Sequence, residues 1–209
     1  MRPVEGCLMI DQLELMRILE RVRGDAVVMP VFRANGAWSQ VSNNPVRDVP
    51  IGTLDFPAVM GIGSSFALGL SLARPETKII LFDGDGSILM NLGSLVTVGN
   101  KAPQNLYHFV LDNGVYATTG GQDTPGTNSA SYAQLARSAG YAAVFEFNEL
   151  EDFDNEAEEV LKQPGPVMIC VKTVPDIRGP RQPIGPVNTE VVQARPQAID
   201  NLLREFGRS

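Results

Sequence analysis

Apolar and polar positions along this chain follow two alternating periods. Leu13, Met16, Leu19 and Val22 recur at helical spacing after Asp11, a capping residue, and the pattern stops at Gly24. Residues 26–32 are a short apolar run, predicted to be a strand. Residues 62–73, rich in Gly, Ala, Ser and Leu, read as a tightly packed helix. Residues 78–82 are strand-like and run directly into Gly84-Asp85-Gly86. A helix is predicted over 87–99, a strand over 106–111, and a helix over 132–139 capped by Ser129 or Ser131. The alternation continues through 142–147, 150–161, 167–171 and a final helix at 189–206.

Strands apolar on both faces suit a parallel sheet covered by helices on each side. Strands alternating with helices predict an α/β, doubly wound fold. The chain shows no repeat and no interdomain linker, so residues 1–209 are expected to form one domain. The Pro/Gly-rich stretch 175–186 is a candidate mobile loop or lid, and residues 175–209 are expected to be this loop plus a C-terminal helix. In such folds ligands sit beyond the carboxyl ends of the strands, so the loops that follow strands are where functional residues are expected.

Composition narrows the function. The chain has 209 residues, 44% of them hydrophobic and 20% charged, which excludes a disordered chain or a coiled coil. A net charge of −7 opposes general binding to nucleic acid. No apolar run approaches the roughly 18 residues of a membrane span, and the first ten residues lack a signal-peptide pattern, so a cytoplasmic protein is expected. Cys7 and Cys170 are too few for a disulfide framework and have no metal-ligand spacing.

The strongest chemical signal is Asp83-Gly84-Asp85-Gly86-Ser87, followed after residues 87–112 by Asn113-Gly114. Asp85 is placed at a strand's carboxyl end between glycines that admit a close ligand. Asn113 ends the next predicted strand. Neighbouring parallel strands would bring one carboxylate and one amide oxygen together, a hard-oxygen pair suited to Mg²⁺ that also binds substrate phosphates. The helix predicted after Gly86 would turn its free amides to the same place.

This Gly-Asp-Gly, spacer and Asn pattern resembles the signature of thiamine diphosphate enzymes. The likeness covers nearly the whole chain, as the pyrophosphate-binding domain of the 2-oxoacid decarboxylase group. Residues 89–95, Leu-Met-Asn-Leu-Gly-Ser-Leu, together with residues 111–116 and Thr119-Gly120-Gly121-Gln122, look closest to phosphonopyruvate and sulfopyruvate decarboxylases, in which this domain can be a separate β chain. The resemblance implies thiamine diphosphate and Mg as cofactors. It makes Asp85, the side chain of Asn113 and the main-chain carbonyl of Val115 the metal ligands. Gly84, Gly86, Ser87 and Thr118 would hold the diphosphate. Met60 would support the bent cofactor, and the carbonyl of Ala58 would accept from the cofactor's amino group. The sequence has Ala58-Val59 where relatives often have Gly-Ser, and Asp112-Asn113 where they have Asn-Asn.

The activating glutamate of the family belongs to a pyrimidine-binding domain, for which this chain has no room. The implied assembly is a hetero-oligomer, α2β2, whose α subunit supplies that glutamate, acting on a small 2-oxoacid. A carboligase or carbon–carbon lyase subunit is the alternative within the family. A non-catalytic binding or regulatory subunit with the same fold is the alternative outside it.

Other residues carry weaker signals. His108, in mid-strand, is expected to be a hydrogen-bonded structural residue, and Cys170 a small buried hydrophobe. Gly61-Ile62-Gly63 begins like a dinucleotide loop but has Phe66 at the third glycine position, and reads as close helix packing. Trp38, following the first strand, is expected at the functional edge or packing a loop. Arg33 meets an acidic substrate, meets the diphosphate, or is solvated; Arg178 and Arg181 read as solvated charges. The acidic run from Glu149 to Glu159 reads as a solvent-facing helix.

Overall fold

The computed structural model describes residues 9–53, 60–127 and 129–177. Helix α1 (Gln12–Val22) is followed by β1 (Val27–Pro30), α2 (Arg33–Val41) and a 3₁₀ turn at Pro45–Arg47. Next come α3 (Gly63–Ala73), β2 (Ile79–Gly84), α4 (Asp85–Leu89), α5 (Ser94–Lys101) and β3 (Leu106–Asp112). A small hairpin, β4 (Val115–Tyr116) and β5 (Gln122–Asp123), precedes α6 (Tyr132–Ala139), β6 (Ala143–Phe147), α7 (Leu150–Val160) and β7 (Val167–Lys172).

The five long strands form one parallel sheet in the order β1-β2-β3-β7-β6. Successive side chains of a strand point to opposite faces, and both faces here are apolar. Val28, Ile80, Phe82, Phe109 and Ile169 pack under α1, α2 and α7, whereas Met29, Ile79, Leu81, Val110 and Met168 pack under α3, α5 and α6. This is the doubly wound α/β arrangement expected from the alternation of elements. On the first face the rings of Trp38, Phe82, Phe109 and Phe153 follow one another at centroid spacings of 5.6, 5.1 and 6.0 Å. Each large side chain buried there contributes about 1.5–3 kcal/mol by leaving water.

Local signals set the element ends. The Asp11 side chain accepts from the amides of Leu13 and Glu14 and starts α1; its loss should cost about 1 kcal/mol. Gly24, at φ +58°, lets the chain turn after the helix. Of the two serines that could cap α6, Ser131 does so, accepting from the amide of Gln134. At Gly99 an added Cβ would lie 1.8 Å from the Ala139 carbonyl oxygen, so α5 and α6 touch backbone to backbone.

Three elements depart from the sequence reading. The first strand ends at Pro30, and Arg33–Val41 is a helix; its apolar positions Ala34, Ala37, Trp38 and Val41 have helical spacing that Asn35-Gly36 masks. The single helix expected over 87–99 is two, α4 and α5, because residues 90–93 form a turn, tied down by the Asn91 amide donating to the Gly61 carbonyl. The β4–β5 hairpin is too short to leave a periodic signal. Arg178, Arg181, the final helix at 189–206 and most of the stretch 175–186 lie outside the described residues, as does Ala58. Among the described residues no helix is long and apolar enough to cross a membrane.

Candidate functional site

The register of β2 and β3 creates the site. Asp83 pairs with Val110 and Gly84 with Leu111, so Asp85 stands level with Asp112, one residue short of Asn113. Neighbouring strands are about 4.8 Å apart, which makes Asp85 and Asn113 neighbours at the carboxyl edge of the sheet. Both line a cavity of about 140 Å³ at that edge. Gly84, Gly86, Ser87 and Val115 line it too, as do Met60 and Thr118. The residues expected to hold the metal and cofactor therefore line one cavity, apart from Ala58, which is not described.

Asp85 opens α4 and is 2% exposed. Its Oδ2 accepts from Thr124 Oγ1 at 2.9 Å. Thr124 is held in turn by its amide, which donates to the Gly114 carbonyl at 2.9 Å. Burial is the main cause that raises the Asp85 pKa, with the charge of Asp112 adding to it and the Thr124 bond opposing it. Asp112 has its own counter-ion in Lys172, whereas Asp85 has no ion pair with a described cation. A buried carboxylate without a compensating charge fits a bound cation. The Asn113 Oδ1 accepts from the Val115 amide at 2.9 Å, and the Val115 carbonyl accepts from the Ala117 amide at 3.0 Å. Each of these oxygens keeps a second lone pair. Carboxylate, amide and carbonyl oxygens are a hard donor set that suits Mg²⁺.

The glycines and the serine have defined local roles. A Cβ on Gly86 would lie 2.6 Å from the Tyr116 ring, so glycine is what allows that ring to rest against the start of α4. The amides of Gly86 and Ser87 belong to the first turn of α4, where no intrahelical acceptor exists. The Ser87 hydroxyl accepts from the Gly61 amide at 3.1 Å, which fastens the Met60–Gly61 corner to the start of α4. Gly61, at φ +90°, makes that corner possible.

Other residues fall as follows. His108 is fully buried, its Nδ1 3.0 Å from the Tyr141 hydroxyl, and burial pushes its pKa down to about 3. It is the structural residue expected. Gly63 approaches Asp83 and Val31 closely, consistent with helix packing. Cys170 is partly buried against the α3, α5 and α6 face, and burial pushes its thiol up to about 12. Trp38 is not at the functional edge: it is 1% exposed on α2, within the aromatic row, with Arg23 stacked 5.1 Å from its ring. The acidic residues of α7 face solvent around buried Phe153, Ala157 and Val160. The sequence reading missed Thr124, Tyr116 as the neighbour of Gly86, Phe32, and Tyr132, whose buried hydroxyl feels the charges of Asp85 and Asp112. Their one sequence signal is proximity to strand ends; only the hairpin brings Thr124 back to Asp85.

A parallel sheet with a cavity and hard oxygen donors at its carboxyl edge has the form of a ligand-binding α/β domain. Comparison with known proteins narrows this class. Residues 50–171 match the family model of the thiamine pyrophosphate enzyme, C-terminal TPP binding domain, and the chain belongs to that family. It is 42% identical over 168 residues to the sulfopyruvate decarboxylase subunit beta of Methanothermobacter thermautotrophicus, covering 78% of this chain and 83% of that one. It is 42% identical over 110 residues to the phosphonopyruvate decarboxylase of Streptomyces viridochromogenes, covering 53% of this chain but only 27% of that protein. Among solved structures, a Mycobacterium smegmatis chain described as thiamin diphosphate-dependent superimposes with a TM-score of 0.67 at 20% identity, covering 79% of this chain and 32% of that one, a likeness of fold.

Proposed function

We propose that the chain is the β subunit of a thiamine diphosphate- and Mg-dependent 2-oxoacid decarboxylase, which converts an anionic 2-oxoacid to an aldehyde and carbon dioxide. The observation that carries this reading is the buried Asp85, without a described cationic partner, in one cavity with Asn113, Val115 and Met60. Its nearly full-length relative is named a sulfopyruvate decarboxylase subunit beta.

In this reading Asp85, Asn113 Oδ1 and the Val115 carbonyl hold Mg²⁺. The amides of Gly86 and Ser87, with Gly84 and Thr118, hold the diphosphate. Thr124 fixes the rotamer of Asp85, and Met60 and Ala58 support the organic part of the cofactor. Thiamine diphosphate, when bound, supplies the electron sink for loss of carbon dioxide. The chain's contribution is positioning, which can supply a large share of a rate enhancement.

The second half of the site comes from an α subunit with a pyrimidine-binding domain, which provides the activating glutamate in an α2β2 assembly in the cytoplasm. All 209 residues serve as the single diphosphate-binding domain. The outer face of α3 supports a partner: the helix has no charged residue, and Leu72 is 50% exposed there. An apolar helix face left in water marks an interaction surface.

Reconstitution tests the proposal. The purified chain with thiamine diphosphate and Mg²⁺ should not decarboxylate sulfopyruvate or phosphonopyruvate, and adding the α chain should restore turnover with one site per αβ pair. Robust turnover in the verified absence of another polypeptide would contradict it.

A further inference from the structure

We propose that Arg33 recognises the second, non-reacting acid group of the substrate, so that the enzyme selects 2-oxoacids ending in a sulfonate or phosphonate. This rests on the reading of the cavity as a decarboxylase site. Among the described residues the cavity lining has two charged side chains, Asp85 and Arg33. Asp85 is on the buried floor. Arg33 lies toward the rim, where its Nη2 donates to the Ala117 carbonyl at 3.2 Å and, at an exposed position, to the Asp176 carbonyl at 2.7 Å. Asp85 and the metal it binds would meet the diphosphate charge at the floor, which leaves the rim cation for a different anion.

Among the described residues Arg33 has no anionic partner of the kind a half-buried cation needs. It makes no ion pair with a described carboxylate, and its Nε is buried without an acceptor. The two carbonyls orient the guanidinium without neutralising it. A planar fork fixed in this way is preorganised for an oxyanion that accepts more than one N–H.

The backbone before Arg33 is strained in a way that fixes this geometry. Phe32 adopts φ +49° and ψ −111°, a conformation suited to glycine. It is held by its amide, which donates to the Ile51 carbonyl at 2.9 Å, and by its ring, which leaves no room for a Cβ on Gly52. Strain of this kind persists where surrounding structure over-determines it, and functional sites are where it clusters. Here it turns the chain from β1 into α2 and sets Arg33 at the cavity.

The test compares wild type, Arg33→Met and Arg33→Lys in the assembled αβ enzyme. It measures kcat/KM for sulfopyruvate, phosphonopyruvate and pyruvate, and titrates thiamine diphosphate with Mg²⁺ by calorimetry. Arg33→Met should lose on the order of 100-fold in preference for the two strongly acidic substrates over pyruvate, mostly through KM, with part recovered in Arg33→Lys. Cofactor affinity should hold in both variants. Equal losses for all three acids, or weakened cofactor binding with the preference unchanged, would overturn the assignment and place Arg33 on the diphosphate. A wild-type enzyme that decarboxylates none of the three would instead overturn the reading of the cavity.

Discussion

Asp83 and Asp85 are the same residue type, two positions apart, both almost fully buried, and they do opposite work. Asp83, 1% exposed, is the last but one residue of β2 and faces inward beneath α3. Its Oδ1 accepts from the Gly84 amide, while its Oδ2 has no hydrogen bond and stands 4.0 Å from His108 Nε2, itself unbonded. Asp85 is past the end of the strand, beside Asn113, with its carboxylate directed by Thr124. The difference is set by Gly84, which is extended and ends the strand, so that the next residue enters α4 at the cavity. One carboxylate belongs to the packing of the domain; the other is the group proposed to hold the metal.

The largest expected break in this comparison comes at Asp85. Asp85→Ala removes the anionic ligand proposed for the metal and should lower turnover of the assembled enzyme by about 1,000-fold or more, on the scale of losing a principal electrostatic group. The variant should remain folded, since the buried charge itself is unfavourable. Circular dichroism and steady-state kinetics on the same preparation check both parts.

A smaller effect sharpens the comparison from the other side. Burial pushes the Asp83 pKa up to about 6 from 3.8, so the folded state holds that proton more tightly than the unfolded chain. Its stabilising contribution is full below pH 3.8 and is lost as pH rises to about 6. Burial pushes His108 from 6.5 down to about 3, so its contribution is full above pH 6.5 and is lost as pH falls. The two slopes oppose each other between pH 4 and 6. Removing either partner should unmask the other: stability of His108→Gln should fall by about 4–5 kcal/mol from pH 4 to 6 relative to Asp83→Asn, whose stability should rise over the same range. Urea denaturation at each pH measures this. Parallel profiles for the two variants would show that neither group titrates in this window.

How much of this was legible in the sequence follows from range. The sheet and most helices are written in periodicity, because β2, β3 and β7 are apolar on both faces and α1 has an Asp11 cap. Helix α2 was hidden because Asn35-Gly36 interrupts a nine-residue segment, and Trp38 was therefore assigned to the wrong place. Asp85 and Asn113 were legible because strand ends and glycines mark them locally. Thr124 was not: it reaches Asp85 through a hairpin of two-residue strands, and such a contact has no period. Phe32 carries no sequence mark either, since its positive φ is imposed by Ile51 and Gly52, nearly twenty residues on. The separate fates of Asp83 and Asp85 show only faintly in their neighbours: Phe82 ties Asp83 to the apolar run, whereas Asp85 stands between Gly84 and Gly86, and the family motif supplies the rest.

The most direct measurement is a calorimetric titration of thiamine diphosphate into assembled enzyme carrying Asp85→Asn or Asp83→Asn, with Mg²⁺ and with chelator. The account expects Asp83→Asn to keep a Mg²⁺-dependent binding signal close to wild type, and Asp85→Asn to lose the Mg²⁺ dependence. Wild-type, metal-dependent binding in Asp85→Asn, or its loss in Asp83→Asn alone, would contradict the division of labour between the two carboxylates.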